Sequence, residues 1–198
     1  MSQQQENVKI AGCSFSVHPM SDDFKEKIKG ALEKIDTSKV WMNTDEVTTT
    51  VRGDIEHVFD VTRAVFLRVA ETGVHTALNA TFSVGCPGDS EGDQYTGHKE
   101  KPENGLWDLD QYTGAKFSLY PMGGGNYMDV IYKGIERMKE SGIEVSEAHY
   151  ATKLSGDTNT MFKGLEEVFS DTEKSGSSHT VMTVAMSANS PSQERGNK

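Results

Sequence analysis

Hydrophobic residues recur along this chain with the period of two that is typical of strands and the period near 3.6 that is typical of helices. In the first half, alternation predicts strands at residues 12–17, 39–43, 47–52 and 75–84. Apolar stripes at helical spacing predict two helices, one carrying Phe24, Ile28, Leu32 and Ile35 and the other Ile55, Val58, Phe59, Thr62, Val65, Phe66 and Val69. The predicted order is strand, helix, strand, strand, helix, strand.

The second half of the chain repeats the first. The hexapeptide F-S-V-H-P-M at residues 15–20 returns as F-S-L-Y-P-M at residues 117–122, and later landmarks follow at offsets of 102 to 104 residues. The same patterns predict strands at residues 116–120, 144–147, 150–155 and 179–187, and helices carrying Tyr127, Ile131, Ile135 and Met138, then Met161, Phe162, Leu165, Val168 and Phe169. A register this steady indicates that one folding unit has been duplicated.

Each repeat has the split βαββαβ order of the ferredoxin-like motif. We therefore predict an α+β fold made of two tandem ferredoxin-like repeats, whose antiparallel sheets carry their helices on one face. The first repeat is expected at residues 8–84 and the second at residues 115–190. Residues 85–114 are rich in Gly and charged side chains, which predicts a linker between the repeats.

Short polar signals predict where several elements begin and end. Pro19 is expected to end the first strand because proline cannot donate to a sheet, and Ser21 is expected to cap the helix that follows. Asp54 and Asp157 each follow a glycine at the start of the second helix of their repeat. We interpret both carboxylates as helix caps rather than as catalytic acids.

The overall charge narrows the choice of partners. The chain of 198 residues has a formal net charge of -10, which disfavours nucleic acid and anionic membranes as partners. It has two cysteines and no apolar run near the roughly 18 residues that cross a bilayer. We therefore expect a cytoplasmic protein without direct membrane insertion.

Polar side chains alternate with the apolar ones and predict a hydroxyl-rich outer sheet face. In the first repeat this face includes Ser16, His18 and Arg52, and in the second it includes Ser118, Tyr120 and Ser155. Such a face suits either a polar ligand or simple solvation and sheet packing, and the pattern does not separate these interpretations.

Thr49 and Thr152 interrupt the apolar side of a predicted strand at the same place in both repeats. A buried hydroxyl needs a hydrogen-bond partner, so each Thr either contacts a small ligand between sheet and helices or bonds the local backbone. Trp41 and Tyr120 can stack on a flat ring, although packing in the core is the alternative for both.

The sequence contains no recognisable catalytic frame. H-E-x-x-H, C-x-x-C and G-x-S-x-G are absent, and the six histidines lack metal-ligand spacing. Cys86 has no adjacent base, and Gly123 to Gly125 is interpreted as a turn. We therefore predict a binding protein with no catalytic residue, metal or cofactor.

Four segments together resemble the YkoF family: F-S-V-H-P-M at residues 15–20, V-R-G-D-I-E-H-V-F-D at 51–60, G-C-P-G-D at 85–89 and S-A-N-S-P-S at 187–192. The resemblance covers nearly the whole chain. It implies non-catalytic binding of thiamin or its hydroxymethylpyrimidine moiety, with one site per repeat, in a homodimer. It also implies a role in uptake or salvage of the pyrimidine, with a functional link to a membrane transporter.

The ligand-binding residues that we predict combine the outer face, the two threonines and the repeated motif. They are Ser16, His18, Met20, Trp41, Thr49, Arg52, Ser118, Tyr120, Met122, Thr152 and Ser155. His18 stands where the second copy has Tyr120, and Tyr is usual in the family, so the first site is expected to differ in affinity or pH dependence. Two alternatives remain: a small dimeric enzyme acting on a heteroaromatic substrate through Cys86 or His18, and a regulatory module that responds to its ligand.

Overall fold

A computed structural model describes residues 10–86, 100–123 and 127–192. Twelve elements follow in the order β1 (Ala11–Pro19), α1 (Phe24–Leu32), β2 (Trp41–Thr44), β3 (Thr49–Gly53), α2 (Ile55–Ala70), β4 (Thr76–Val84), β5 (Tyr112–Met122), α3 (Tyr127–Glu140), β6 (Glu144–Ala148), β7 (Ala151–Asp157), α4 (Thr158–Lys174) and β8 (His179–Ala188). Each half has the βαββαβ order, so the predicted pair of ferredoxin-like repeats is confirmed.

The two repeats share one sheet. Its eight strands lie in the order β2-β3-β1-β4-β8-β5-β7-β6, and every neighbouring pair is antiparallel. At the centre, β4 pairs with β8, and Ala80 lies opposite Val184, its equivalent in the other repeat. The repeats are therefore related by a pseudo-twofold axis that passes between these two residues.

Alternation along the strands places one side chain in two against the helices. In the first repeat Phe15, Leu78 and Phe82 are each no more than 2% exposed. Phe59 of α2 stacks on Phe82 with ring centroids 4.1 Å apart, and lies 5.7 Å from Phe169 of α4. Burial of each such ring stabilises the fold by about 1.5 to 3 kcal/mol. The core is thus continuous from one repeat to the other.

Two reciprocal hydrogen bonds join the repeats beside the central strand pair. His75 Nε2 lies 2.9 Å from Ser187 Oγ, and His179 Nε2 lies 3.0 Å from Ser83 Oγ. The two histidines are equivalents in the duplication, as are the two serines. Each repeat therefore contributes one His and one Ser to the junction.

Two residues that we predicted within strands lie in turns. Val47 is 74% exposed, because β3 begins only at Thr49 and the Asp45 carboxylate accepts hydrogen bonds from the backbone N–H groups of Val47 and Thr48. Tyr150 is 99% exposed and has a φ of 63°, since it occupies the tight turn between β6 and β7. The prediction that these two residues belong to strands is wrong.

The signals at the ends of elements had mixed outcomes. Asp23, not Ser21, holds the N-cap position of α1, and the Ser21 hydroxyl donates to the Asp23 carboxylate instead. Asp54 and Asp157 both occupy N-cap positions, as predicted. Asp157 also accepts a hydrogen bond from the Thr160 backbone N–H at 2.7 Å, whereas Asp54 makes no side-chain capping bond.

The part of the linker that the structure describes is held on the two central helices. Asn104 Nδ2 donates to the Asp60 carboxylate of α2 at 2.7 Å, and Asn159 Nδ2 of α4 donates to the Leu106 carbonyl at 2.9 Å. Trp107 stacks on the guanidinium of Arg63 at 3.8 Å. This segment therefore covers the contact between α2 and α4.

Candidate ligand-binding sites

The first strand of each repeat extends beyond the end of its pairing with one of its two neighbouring strands. The pairing of β1 with β3 ends at Phe15 opposite Thr49, whereas its pairing with β4 continues to Pro19. In the second repeat the pairing of β5 with β7 ends at Phe117, whereas its pairing with β8 continues to Met122. Each repeat therefore leaves a short open strand edge among the described residues, and we call these edges the first and second notch.

The hydrogen bonds fix which backbone groups point into the first notch. The Met20 backbone N–H donates to the His75 carbonyl at 2.8 Å, so Met20 directs its groups toward β4. Because this direction alternates along an antiparallel strand, Val17 directs both its N–H and its C=O away from β4 and into the notch. Pro19 also turns its nitrogen to this side.

Pro19 is the last residue of β1, so it ends the strand as predicted but lies within it, and the notch geometry explains why β1 can include a proline. A proline costs a sheet hydrogen bond only where its nitrogen faces a partner strand, and in the notch no described strand faces it. Pro121 occupies the equivalent position in β5 and pairs with Thr180. Leu119 is correspondingly the residue that directs its N–H and C=O into the second notch.

A cavity of about 530 Å³ opens at the first notch. Met20 is 59% exposed and Phe24 is 45% exposed, so both present apolar surface to it. His18 Nε2 lies 2.9 Å from Ser16 Oγ on the rim. The complete lining consists of Val17, His18, Pro19, Met20, Phe24, Ile28, Ala77 and Asn79.

The second notch has equivalent residues with more aromatic character. Tyr120 replaces His18 and is 51% exposed, Met122 replaces Met20 and is 43% exposed, and Tyr127 replaces Phe24. Of the turn predicted at Gly123 to Gly125, residues 124 and 125 lie outside the described residues, as does residue 126. Two of the predicted ligand-binding residues thus border each notch.

Other predicted residues lie on the helix-free side of the sheet, which we call the open face. Thr50, Ser14, Thr81, Thr183 and Ser118 form a row across five strands. A shallow groove of about 370 Å³ follows this row and includes Ser16. Trp41 lies opposite Arg52 at one end of this face, and Ser155 lies opposite Gly114 at the other. These three lie away from the notch cavity.

The two threonines on the helix side take the positions that alternation predicted. Thr49 lies opposite Phe15, and Thr152 lies opposite Phe117. Thr49 Oγ1 lies 3.0 Å from Thr44 Oγ1, so its hydroxyl has a partner on the neighbouring strand. Neither threonine lines the cavity at the first notch.

Sequence reasoning missed six lining residues, namely Val17, Pro19, Phe24, Ile28, Ala77 and Asn79. Phe24 and Ile28 were assigned to the core because they belong to an apolar helical stripe. The backbone of Val17 carries no signal in the amino-acid sequence at all. An aromatic residue in both copies, Phe24 and Tyr127, was the one signal available.

The cysteines and acidic groups offer no obvious reactive centre. Burial raises the pKa of the Cys13 thiol to about 12, which keeps it protonated at neutral pH, while Cys86 is exposed. Over residues 10–86, 100–123 and 127–192, no group of three or more His, Cys, Asp or Glu side chains is placed to hold a metal ion. None of the helices in this part of the chain has the length and apolar character needed to cross a membrane.

Comparison with known proteins matches both repeats to one family model. The model of the YKOF-related family matches residues 10–89 and again residues 112–193. The chain belongs to the YkoF-related family. A curated relative from Bacillus subtilis (strain 168), named "Putative HMP/thiamine-binding protein YkoF", is 45% identical over 188 residues and aligns with 94% of each chain. The resemblance drawn from the four sequence segments is therefore confirmed.

Solved structures show weaker similarity to this member of the YkoF-related family. A domain of unknown function DUF77 from Bacillus cereus aligns with 39% of this chain and 76% of its own at 18% identity, with a TM-score of 0.35. The regulatory subunit of aspartate kinase from Thermus flavus aligns with 82% of this chain and 94% of its own at 12% identity, with a TM-score of 0.22.

Proposed function

We propose that this protein binds hydroxymethylpyrimidine, free or as part of thiamin, with one molecule in each notch and without catalysing a reaction. The observation that carries the proposal is the repeated notch itself, where the duplicated F-S-x-x-P-M motif meets an open strand edge. The name of the 45% identical relative supports the choice of ligand.

An open strand edge suits the pyrimidine because both present a donor beside an acceptor. The aminopyrimidine ring has an exocyclic amino group next to a ring nitrogen, so one group donates and the other accepts. The N–H and C=O of Val17 offer the complementary pair in the first notch, and those of Leu119 offer it in the second. The ring is thereby recognised as an additional strand would be.

The side chains of the notch complete the recognition by contacting the faces of the ring. Phe24 and Met20 provide a flat and adaptable apolar surface in the first notch, and Tyr127 and Met122 provide it in the second. Thiamin adds a cationic thiazolium ring, which is compatible with a chain of net charge -10. His18 in place of Tyr120 makes the two notches unequal, so two affinities are expected.

We place this binding activity in the cytoplasm, in uptake or salvage of the pyrimidine. There the protein would bind the ligand that a membrane transporter delivers. We also propose a homodimer that covers the open face. Thr81 and Thr183 lie at its centre on neighbouring strands and are both exposed. A Thr183→Arg variant should run as a monomer in size-exclusion chromatography with light scattering, while an unchanged mass would argue against this interface.

Titration calorimetry with hydroxymethylpyrimidine, thiamin and a desamino pyrimidine tests the ligand. We expect two sites per chain for the first two compounds. Loss of the exocyclic amino group should weaken binding by about tenfold or more, because a buried acceptor would lose its partner. Equal affinity for the desamino compound, or no heat with any compound, would contradict the proposal. Turnover of any of these compounds by the protein would contradict the non-catalytic role.

A further inference from the structure

A cavity of about 570 Å³ lies between α2, α4 and the linker, on the opposite side of the sheet from the open face. It shares no lining residue with the notch cavity. Its walls include the rings of Phe59, Phe162 and Trp107, and its charged groups are Glu56, Asp60, Arg63, Lys101, Lys163 and Glu166. The proposed pyrimidine sites make no use of it.

The pseudo-twofold axis explains how this cavity arises. Phe59 and Phe162 are equivalents in the duplication, and so are Arg63 and Glu166. Two equivalent helices meet here, yet the chain has only one linker to cover them. The linker contacts Arg63 through the Gly105 carbonyl at 2.8 Å and through the ring of Trp107. The space beside Glu166 is left as the cavity.

The charges inside the cavity are unequally matched. Arg63 and Asp60 neutralise each other across 2.7 Å, and both are buried. Lys101 and Lys163 are exposed, so their ammonium groups can extend into water. Glu166 is only partly exposed, and its carboxylate has no hydrogen bond or ion pair with any residue that the structure describes. Arg63 attracts it electrostatically but is already paired with Asp60, so Glu166 is the inner charge without an ion-pair partner of its own among the described residues.

We infer that this cavity binds a small organic cation, in which an ammonium or amidinium group pairs with Glu166 and an apolar body rests on the aromatic walls. Aromatic faces attract cations as well as apolar groups, which suits both parts of such a ligand. A carboxylate on an aromatic, partly enclosed wall forms stronger charge-assisted hydrogen bonds than one in water. The inference stands independently of the pyrimidine proposal.

The electrostatics around Glu166 support this assignment. Burial, followed by the negative charges of Glu56, Asp60 and Glu167, raises the pKa of its carboxyl to about 7, while the charge of Arg63 acts in the opposite direction. Lys101 from the linker and Lys163 from α4 also line the cavity. A cation would favour the ionised carboxylate, so binding should weaken as the pH falls below about 7 and Glu166 becomes protonated.

Benzylammonium is a suitable probe, and Trp107 supplies the signal. The chain has two tryptophans, so a Trp41→Phe background leaves the fluorescence of Trp107 alone. We expect a saturable change on titration with benzylammonium. Neutral benzyl alcohol, which has the same ring, should bind about tenfold more weakly because it cannot form the ion pair.

Glu166→Gln is the decisive variant, with Glu167→Gln as its matched control. Both remove one negative charge from α4, but Glu167 faces Arg137 at 3.8 Å rather than the cavity. Glu166→Gln should weaken benzylammonium binding by about tenfold or more and abolish its pH dependence. Glu167→Gln should keep both the binding and a pH dependence, which shifts only because the charge that raises the pKa of Glu166 is lost. Saturating hydroxymethylpyrimidine should leave the titration unchanged. A lack of saturable response, equal binding of benzyl alcohol, or full binding by Glu166→Gln would each overturn the inference.

Discussion

The two central helices come from the same duplicated unit, but their surroundings differ. Thirteen of the sixteen residues of α2 are buried, whereas α4 buries eight of seventeen. The α2 helix packs against α1 and α4 and lies under the linker, while α4 keeps one face in solvent. The α2 helix is therefore central to the whole molecule, whereas α4 has kept the amphipathic character of a surface helix.

Two pairs of equivalent positions show how the polar residues differ between the buried helix α2 and the partly exposed helix α4. In α2, Asp60 and Arg63 are buried and form an ion pair that also bonds Asn159 and the linker. In α4, the equivalent residues are Lys163, which is exposed, and Glu166, which lines the cavity. Duplicated helices can thus diverge in charge where a single linker covers only one of them.

Among the substitutions that test this comparison, removal of Arg63 should change the free energy of unfolding most. Arg63→Met keeps most of the side-chain volume but leaves the Asp60 carboxylate buried without its counterion, which should lower the free energy of unfolding by about 3 to 5 kcal/mol. Urea denaturation followed by circular dichroism measures the change. The half-exposed Arg137 of α3, paired with Asp171 at 2.7 Å, is the control, and Arg137→Met should cost about 0 to 1 kcal/mol.

A second substitution separates the lost pair from a general packing defect. Asp60→Asn combined with Arg63→Met removes both charges and should recover part of the lost stability. If Arg63→Met cost no more than Arg137→Met, the buried ion pair would not distinguish α2 from α4 as we describe.

The first helices of the two repeats offer the next comparison. In α3, Gly134 packs so closely on α4 that an added Cβ would lie 2.1 Å from Val168 Cγ2. Gly134→Ala should therefore destabilise the protein by about 1 to 3 kcal/mol, despite the better helix propensity of Ala. In α1, Gly30 has no atom within 4 Å of an added Cβ, so Gly30→Ala should stabilise by up to about 1 kcal/mol. Thermal unfolding of both variants checks the opposite signs, and a stabilised Gly134→Ala would refute the close packing of α3 on α4.

Glu166 should give a smaller stability effect than Arg63, and one that depends on pH. Its pKa is raised to about 7 in the folded protein, against roughly 4.3 for an unfolded Glu. Between these values the folded state holds a proton that the unfolded state releases, so stability falls as the pH rises from about 4.3 to about 7. Glu166→Gln removes this penalty and should be more stable by about 1 to 2 kcal/mol above pH 7.

The same difference should vanish near pH 4, where the carboxyl is protonated in both states. Denaturation curves of the parent and of Glu166→Gln at a series of pH values measure it. A stability difference that did not change with pH would mean that Glu166 is not the perturbed carboxyl of the cavity.

The order of the elements could be predicted because each depends on local periodicity, and the duplication allowed each half to check the other. The joining of β4 to β8 could not be predicted, since pairing between distant edges leaves no local pattern. The burial of Arg63 and Asp60 was missed for a related reason, because charged residues on an amphipathic helix ordinarily face water. Their equivalents Glu166 and Lys163 carry opposite charges, and this was the one signal of a special environment.

In the candidate sites, too, some residues could be predicted from the sequence and others could not. His18, Met20, Tyr120 and Met122 were predicted because they belong to the repeated motif. The notch that they border depends on where β3 and β7 stop relative to β1 and β5, and a shift of two residues in a strand end is beyond what alternation can fix. The backbone of Val17 became a candidate only once the register with β4 was known.

The most direct test of the account removes one backbone donor from each notch and counts the remaining sites. Val17→Pro deletes the N–H in the first notch, and Leu119→Pro deletes it in the second, at positions where the nitrogen faces no described strand. Calorimetric titration with hydroxymethylpyrimidine should find two sites in the parent and one in each variant, with circular dichroism confirming that both variants fold. Two undiminished sites in either folded variant would contradict recognition of the pyrimidine by the open strand edge.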